Sequence, residues 1–216
     1  MPKYYTGLGD NNFSKVGSLN LSKSDNLLEI IGNFDELNSK LGTVIAFMNS
    51  DSEDIYKIKD INIKDELFRI QSKIFSINAE FISTVNSIFK PKNQVSKSDT
   101  EELESYIEIL SKEFPELKTF MLPGGSIQGA LVDEARTLCR RCERSITKKF
   151  DYNSIENPNI FSYINRLSSF LFVSSESEFI NAISVPNLEF NSSKCPIISN
   201  KLSDLLKFKL PTAYSF

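Results

Sequence analysis

The chain is 216 residues long, with 25 Lys+Arg, 28 Asp+Glu and no histidine. That length suits one domain with a real core, and a net charge of −3 gives no general attraction to nucleic acid or anionic membrane. Lack of histidine removes the usual general base and the commonest metal ligand, so chemistry has to run on carboxylates, lysine, arginine or the substrate itself.

No apolar run reaches the ~18 residues of a membrane span. The opening MPKYYTGLGD has neither an apolar signal region nor Arg/Ser-rich transit character. The expectation is a cytoplasmic chain, or a mitochondrial-matrix one had a eukaryotic presequence been removed. Residues 1–24 hold three of the eight glycines and little periodicity. Within them YYTGLGDNNFSK, 4–15, is rich in glycine, hydroxyl and amide groups, and such backbone can turn its N–H groups toward phosphate. It is not a Walker loop, and a flexible terminus is the plain alternative.

A helix is predicted over 25–48, with Leu27, Ile30, Ile31, Phe34, Leu37, Leu41, Val44, Ile45 and Met48 in steps of three and four. Asp35 and Asn38 lie beside that stripe, where a carboxylate is either solvated or paired, the obvious partner being an arginine. A second helix spans 63–89, with Leu67, Ile70, Ile74, Ile77, Phe81, Val85 and Ile88, until KPKN stops it. A third begins at Ser98, read as a capping box with Glu101, carries Leu103, Ile107 and Leu110, and ends before Pro115. The fourth follows Pro123-Gly124-Gly125, with Ile127, Leu131, Leu138, Cys142 and Ile146 as its apolar line. The fifth follows Pro158 and is apolar nearly all round, so it is buried centrally or against another subunit. No alternating strand of useful length is seen. The fold class is all-α, a five-helix bundle: residues 1–24 as a loop segment, 25–180 as the bundle, and 181–216 as an irregular tail with one short helix near 200–208.

Three cysteines are too few for a disulfide scaffold, and Cys139 and Cys142 read as buried thiols on a helix rather than a redox or zinc pair. Arginine is the informative residue. The chain has six arginines, and five of them lie between 136 and 166. Where charge alone is wanted this sequence uses lysine, so the planar fork of arginine is the point. Arg136, Arg140 and Arg144 stack on one helix face and repel by roughly 0.2–0.5 kcal/mol per pair. Asp133 and Glu143 offer local relief. A solvated basic face is one reading; a phosphate or buried-carboxylate site is the other. With the N-terminal loop and Lys23, it sketches two halves of a polyphosphate site.

Four blocks carry a family resemblance: YYTGLGDNNFS, EIIGNFDELNSKLG, FMLPGGS…ARTLCRRCERSI and YINRLSSFLFV. In order and spacing, over roughly residues 3–176, they resemble the PduO-type ATP:cob(I)alamin (corrinoid) adenosyltransferases. The resemblance implies a ferritin-like bundle assembling as a homotrimer with shared inter-subunit sites. It implies transfer of the 5′-deoxyadenosyl group of ATP to Co(I) of cobalamin, releasing triphosphate, with Mg2+ held through the ATP phosphates and no metal on protein side chains. Partners would be ATP, reduced cobalamin, a reductase and a cobalamin-dependent client enzyme, with no nucleic acid and no membrane.

By the same resemblance Thr6, Gly9, Asp10, Ser14, Lys15 and Lys23 belong to the phosphate loop. Arg140, Arg141, Glu143, Arg144 and Asn165 bind nucleotide. Asp35 and Arg136 pair across the subunit interface beside the corrin, and Phe120 displaces the lower axial ligand of cobalamin. The departures cluster in the loop: Gly7-Leu8 stands where [RK]-T is usual, and Asn11-Asn12 where K-G is usual. They favour the alternative of a non-catalytic corrinoid- or nucleotide-binding relative acting as a carrier or sensor. Ser169 replaces a usual Asp, and Asp133 replaces a usual His.

Overall fold

The computed structural model describes residues 4–5, 7–49, 56–86, 90–113, 126–153 and 155–184, with side chains as far as 176. Residues up to Asn181 form one compact unit; of the second unit, Ala182–Phe216, only the backbone to Ser184 is described. The short helix expected near 200–208 lies outside the described residues.

Five helices make up the first unit: α1 (Asn26–Met48), α2 (Ile63–Val85), α3 (Lys97–Ser111), α4 (Ile127–Thr147) and α5 (Asn159–Ser184). Each start has a local cause. Asp25 Oδ1 accepts from the Leu27 N–H at 2.7 Å and so caps α1. Asn62 caps α2 through the N–H groups of Lys64 and Asp65, whose own carboxylate, with Glu66, sits in the electropositive first turn. Ser126 Oγ accepts from Gly129 N–H at 2.9 Å to start α4. The box at α3 is Ser96 with Asp99, each side chain bonding the other's backbone, not Ser98 with Glu101. Both pairs fit the same spacing, and the earlier one is used.

Two short hairpins correct the expectation of no strand. β1 (Phe13–Val16) pairs antiparallel with β2 (Leu19–Ser22), Phe13 opposite Ser22 and Val16 opposite Leu19. Gly17 turns between them at φ +60, and a Cβ there would meet Asn86 Nδ2 at 2.7 Å, so a side chain at 17 would be strained and would have to displace the Asn86 amide. β3 (Lys57–Ile58) and β4 (Ile61–Asn62) form the second, just ahead of α2.

The core runs along α1, which packs on both α2 and α4. Leu27, Ile30, Phe34, Leu37, Leu41, Val44 and Met48 are fully buried. They meet Leu67, Ile74, Ile77 and Phe81 of α2, and Phe34 and Phe81 rings lie 5.7 Å apart. On α4 the buried line is Val132, Ala135, Cys139, Cys142 and Ile146; the expected Leu131 and Leu138 sit at its flank and Ile127 is exposed. Within the single chain α5 already buries Ile160, Tyr163, Ile164, Leu167, Phe170, Leu171 and Val173. Its apolar composition is therefore explained by a central place in the bundle. Glu80, itself buried, accepts from Val95 N–H at 2.7 Å and Asn157 Nδ2 at 2.6 Å, tying α2 to the segments before α3 and α5. Among the described residues no helix is long and apolar enough to cross a membrane.

Candidate active site

The arginines of α4 sort into two groups. Arg136 Nε donates to Asp133 Oδ1 at 2.6 Å. Arg141 is ion-paired with Glu36 of α1 and braces the α1–α4 contact, which Lys40 and Glu134 join by a second pair. The Arg140 and Arg144 guanidinium groups have no ion pair or hydrogen bond with another described residue. Beside them Glu143 Oε1 accepts from Asn165 Nδ2 of α5 at 3.0 Å. Arg166 Nη1 donates to Asn165 Oδ1 at 2.7 Å and its Nε to Glu104 of α3 at 2.6 Å, which holds the amide in one orientation. One exposed face thus combines two free guanidinium groups with a carboxylate–amide pair. That set suits an anion with a polar head beside it.

The N-terminal loop lies at the same end of the bundle. Lys149, just past α4, donates to Asp25 at 2.9 Å, and Asp25 ends the segment that follows β2. This carboxyl lies below its usual range because the Leu27 N–H and the Lys149 ammonium both favour its charge. Asp10 N–H reaches Gly7 O at 3.3 Å and Lys23 N–H reaches Asn12 O at 2.9 Å, closing the loop on itself. Gly9 is packed under a lysine: a Cβ there would lie 3.4 Å from Lys23 Nζ. Lys15 is exposed on β1 with Ser14 half-buried beside it. Gly9 and Lys23 therefore lie side by side, with Asp10 in the same turn, while Ser14 and Lys15 follow on alternate faces of β1. Thr6 and Phe120 lie outside the described residues, as does the Pro123-Gly124-Gly125 sequence.

Two backbone angles bear on the loop's departures. Asn12 stands at φ +67, the left-handed region that favours glycine and that asparagine tolerates best among other residues. Gly7 stands at φ +72, where an arginine would be strained. Restoring a lysine and glycine as Asn11→Lys with Asn12→Gly is therefore compatible with the backbone, and restoring a basic residue at 7 is not. The double variant is expected to bind ATP more tightly, by roughly 1–3 kcal/mol for one added charge-assisted contact. Gly7→Arg is expected to bring no gain. Calorimetric titration with ATP checks both; equal affinity in wild type and double variant would mean that residue 11 does not reach phosphate.

Asp35 is exposed on α1 and accepts from Asn78 Nδ2 of α2 at 3.3 Å. Within one chain it does not meet Arg136, whose carboxylate partner is Asp133. Glu176 of α5 joins that group. Burial, then the charge of Asp133, push its carboxyl above the usual range, against the pull of Arg136. Glu36, Asn78 and Glu176 were not singled out in the sequence. Only Glu36 gave a hint there, as the second carboxylate of the DEL run. Cys139 and Cys142 are buried, and desolvation raises both thiols, Cys142 to about 12, so neither is a reactive thiolate.

Comparison with known proteins gives the family. The cobalamin adenosyltransferase family profile matches residues 4–178. A corrinoid adenosyltransferase of Mycobacterium leprae is 30% identical over 184 residues, covering 80% of this chain and 89% of the relative. One from Citrobacter freundii is 30% identical over 173 residues, covering 80% and 92%. Among solved structures, a phenylalanine-to-histidine variant of a PduO-type ATP:corrinoid adenosyltransferase from Lactobacillus reuteri, complexed with cobalamin and ATP, superposes with a TM-score of 0.67. It is 26% identical and covers 84% of this chain and 92% of that one. The chain belongs to the cobalamin adenosyltransferase family.

Proposed function

We propose that the protein transfers the 5′-deoxyadenosyl group of ATP to the cobalt of reduced cobalamin, giving adenosylcobalamin and triphosphate. The observation that carries this is the pair Arg140 and Arg144, whose side chains have no ion pair among the described residues on a helix whose other arginines, Arg136 and Arg141, are both ion-paired. Like charges held unpaired at i, i+4 repel modestly, and an anion placed between them relieves that repulsion. The leaving triphosphate is such an anion, and its charge grows as the bond breaks.

The Co(I) lone pair attacks C5′ of the ribose, the Co–C bond forms, and the C5′–O bond breaks with its electrons going to triphosphate. No side-chain base is required, which suits a chain without histidine. Arg140 and Arg144, with Lys15, Lys23 and the loop around Gly9 and Asp10, hold the triphosphate. Glu143 and Asn165 fix the nucleoside. Arg141 holds α4 in place through Glu36, and Phe120 faces cobalamin's lower side. Mg2+ enters with the nucleotide on its phosphates; among the described residues no group of three His, Cys, Asp or Glu could hold a metal.

The active unit is a homotrimer in which Asp35 meets Arg136 of a neighbouring copy. Support comes from Phe68 and Phe75, seven residues apart on α2 and 63% and 65% exposed, with Phe47 of α1 also exposed. Apolar rings at that spacing share one helix face and call for cover. Light scattering is expected to give three times 24.5 kDa, and Phe68→Lys with Phe75→Lys to shift the mass toward one. A concentration-independent monomer in the wild type would remove the shared site.

The activity is tested by anaerobic incubation with ATP and chemically reduced cob(I)alamin, following the absorbance change of Co–C bond formation. Turnover with release of triphosphate is expected. Binding of both substrates without turnover would instead support the carrier or sensor reading, which the altered loop at Gly7 favours.

A further inference from the structure

Away from these residues, α2, α3 and α5 enclose a cleft of about 160 Å³. It is far smaller than the roughly 300 Å³ at which drug-sized pockets begin, so a nucleotide or corrin does not fit. Its charged lining is three carboxylates, Glu66, Asp99 and Glu102, against Arg69 and Lys73. Both cations are already used: Lys73 by Asp99 at 2.7 Å, and Arg69 by Glu66 at 3.0 Å and Glu102 at 3.7 Å. The Tyr106 hydroxyl lies 2.9 Å from Glu102 and 3.4 Å from Glu66, so its one proton serves two carboxylates. The cleft is left one positive charge short.

A second observation is independent of that count. Tyr163 lines the cleft from α5, is only 3% exposed, and its hydroxyl has no hydrogen-bond partner among the described residues. A buried phenol is ordinarily paired. Ile70 and Leu103 supply an apolar wall. An anion is disfavoured by the excess of carboxylates. A divalent metal is disfavoured because no group among the described residues could hold one.

We propose that this cleft binds a small aliphatic primary ammonium ion, its N–H groups on Glu66, Glu102 and the Tyr163 oxygen and its alkyl part on Ile70 and Leu103. The three N–H donors of such a head match the three acceptors, and its single charge brings the lining to neutrality. Burial already holds the Glu66 carboxyl above its usual range, the mark of a carboxylate with too little compensation. Binding draws α2, α3 and α5 together and stabilises the fold by mass action.

The test is thermal unfolding of the full chain, titrated with ethylammonium chloride, and with potassium chloride or tetramethylammonium chloride at equal ionic strength. Ethylammonium alone is expected to raise the midpoint, and saturably. Tyr163→Phe, which keeps the ring, and Glu102→Gln, on the cleft's outer edge, are each expected to move half-saturation at least about fivefold higher, the loss of one contact near 1 kcal/mol. Should Tyr163→Phe fail to fold, Glu102→Gln decides. An equal rise with potassium or tetramethylammonium, no saturable rise with ethylammonium, or half-saturation unchanged in the folded variants would overturn the proposal.

Discussion

Replacing Arg136 with Met is expected to lower adenosylation of cob(I)alamin about 100-fold, while Asp35→Asn alone lowers it only about tenfold. The difference follows from who surrounds the guanidinium. In one chain Arg136 is held by Asp133 at 2.6 Å, with Glu176 within electrostatic reach. A neighbour's Asp35 would be a third carboxylate around one cation. Removing the cation leaves carboxylates facing each other in a half-buried place, and breaking such a charge cluster costs about 2–5 kcal/mol, or well over a decade of rate. Removing Asp35 leaves Arg136 still neutralised by Asp133, so only its hold on the neighbouring subunit weakens. Asp35→Asn with Asp133→Asn should then cost more than the two single changes together. Turnover of cob(I)alamin in the four proteins of that cycle checks it. Strict additivity would mean that the two carboxylates never share Arg136.

The same cluster shows how far sequence reading goes. Asp133 as local relief for Arg136 was legible because helix geometry puts i and i+3 side by side. Asn78 against Asp35, or Glu36 against Arg141, depends on how α1 packs on α2 and α4, and no spacing within one helix encodes that. The long helices were legible for the same local reason: a 3.6-residue apolar period over twenty or so residues has few competitors. Two limits of that signal are visible. On α4 the buried line is rotated from the one expected, since Leu131 and Leu138 flank the core while small residues, Ala135 and Cys139, fill it where α1 comes close. On α5 an all-round apolar surface could not tell a central helix from one facing a second subunit. The exposed rings Phe68 and Phe75 are the stronger sign of assembly.

Short elements were hidden for a different reason. β1 and β2 are four residues each, half-exposed on alternate positions, and too brief for a period-two pattern to stand out. The Gly17-Ser18 turn between Val16 and Leu19 was the available signal. Within the loop, asparagine stands at 12 where the resemblance has glycine. Asn12 and Gly7 both stand in the left-handed region, so a glycine at 12 fits the backbone present and a basic residue at 7 does not.

Phe120→Ala is expected to give a protein that folds, assembles and binds both ATP and cob(II)alamin, yet loses adenosylation by at least about 100-fold when cob(II)alamin and a reductant are supplied. The residue stands immediately before Met121-Leu122-Pro123-Gly124-Gly125, a sequence whose proline restricts the backbone. Its proposed work is to occupy the space below cobalt that a lower axial ligand would take. A four-coordinate cobalt accepts an electron more readily, because removing the axial donor lowers the orbital that receives it. For a one-electron couple each ~59 mV changes the reducible fraction tenfold, so a loss of only about 120 mV accounts for the expected effect. With cob(I)alamin supplied ready-made, reduction is bypassed and the loss should be much smaller. A ring that served only the core would behave otherwise: truncation would cost roughly 3–5 kcal/mol of stability and affect both routes alike. Paramagnetic resonance of the wild type with ATP and cob(II)alamin should show a four-coordinate signal that Phe120→Ala lacks. An undiminished signal in the variant would return Phe120 to a packing role.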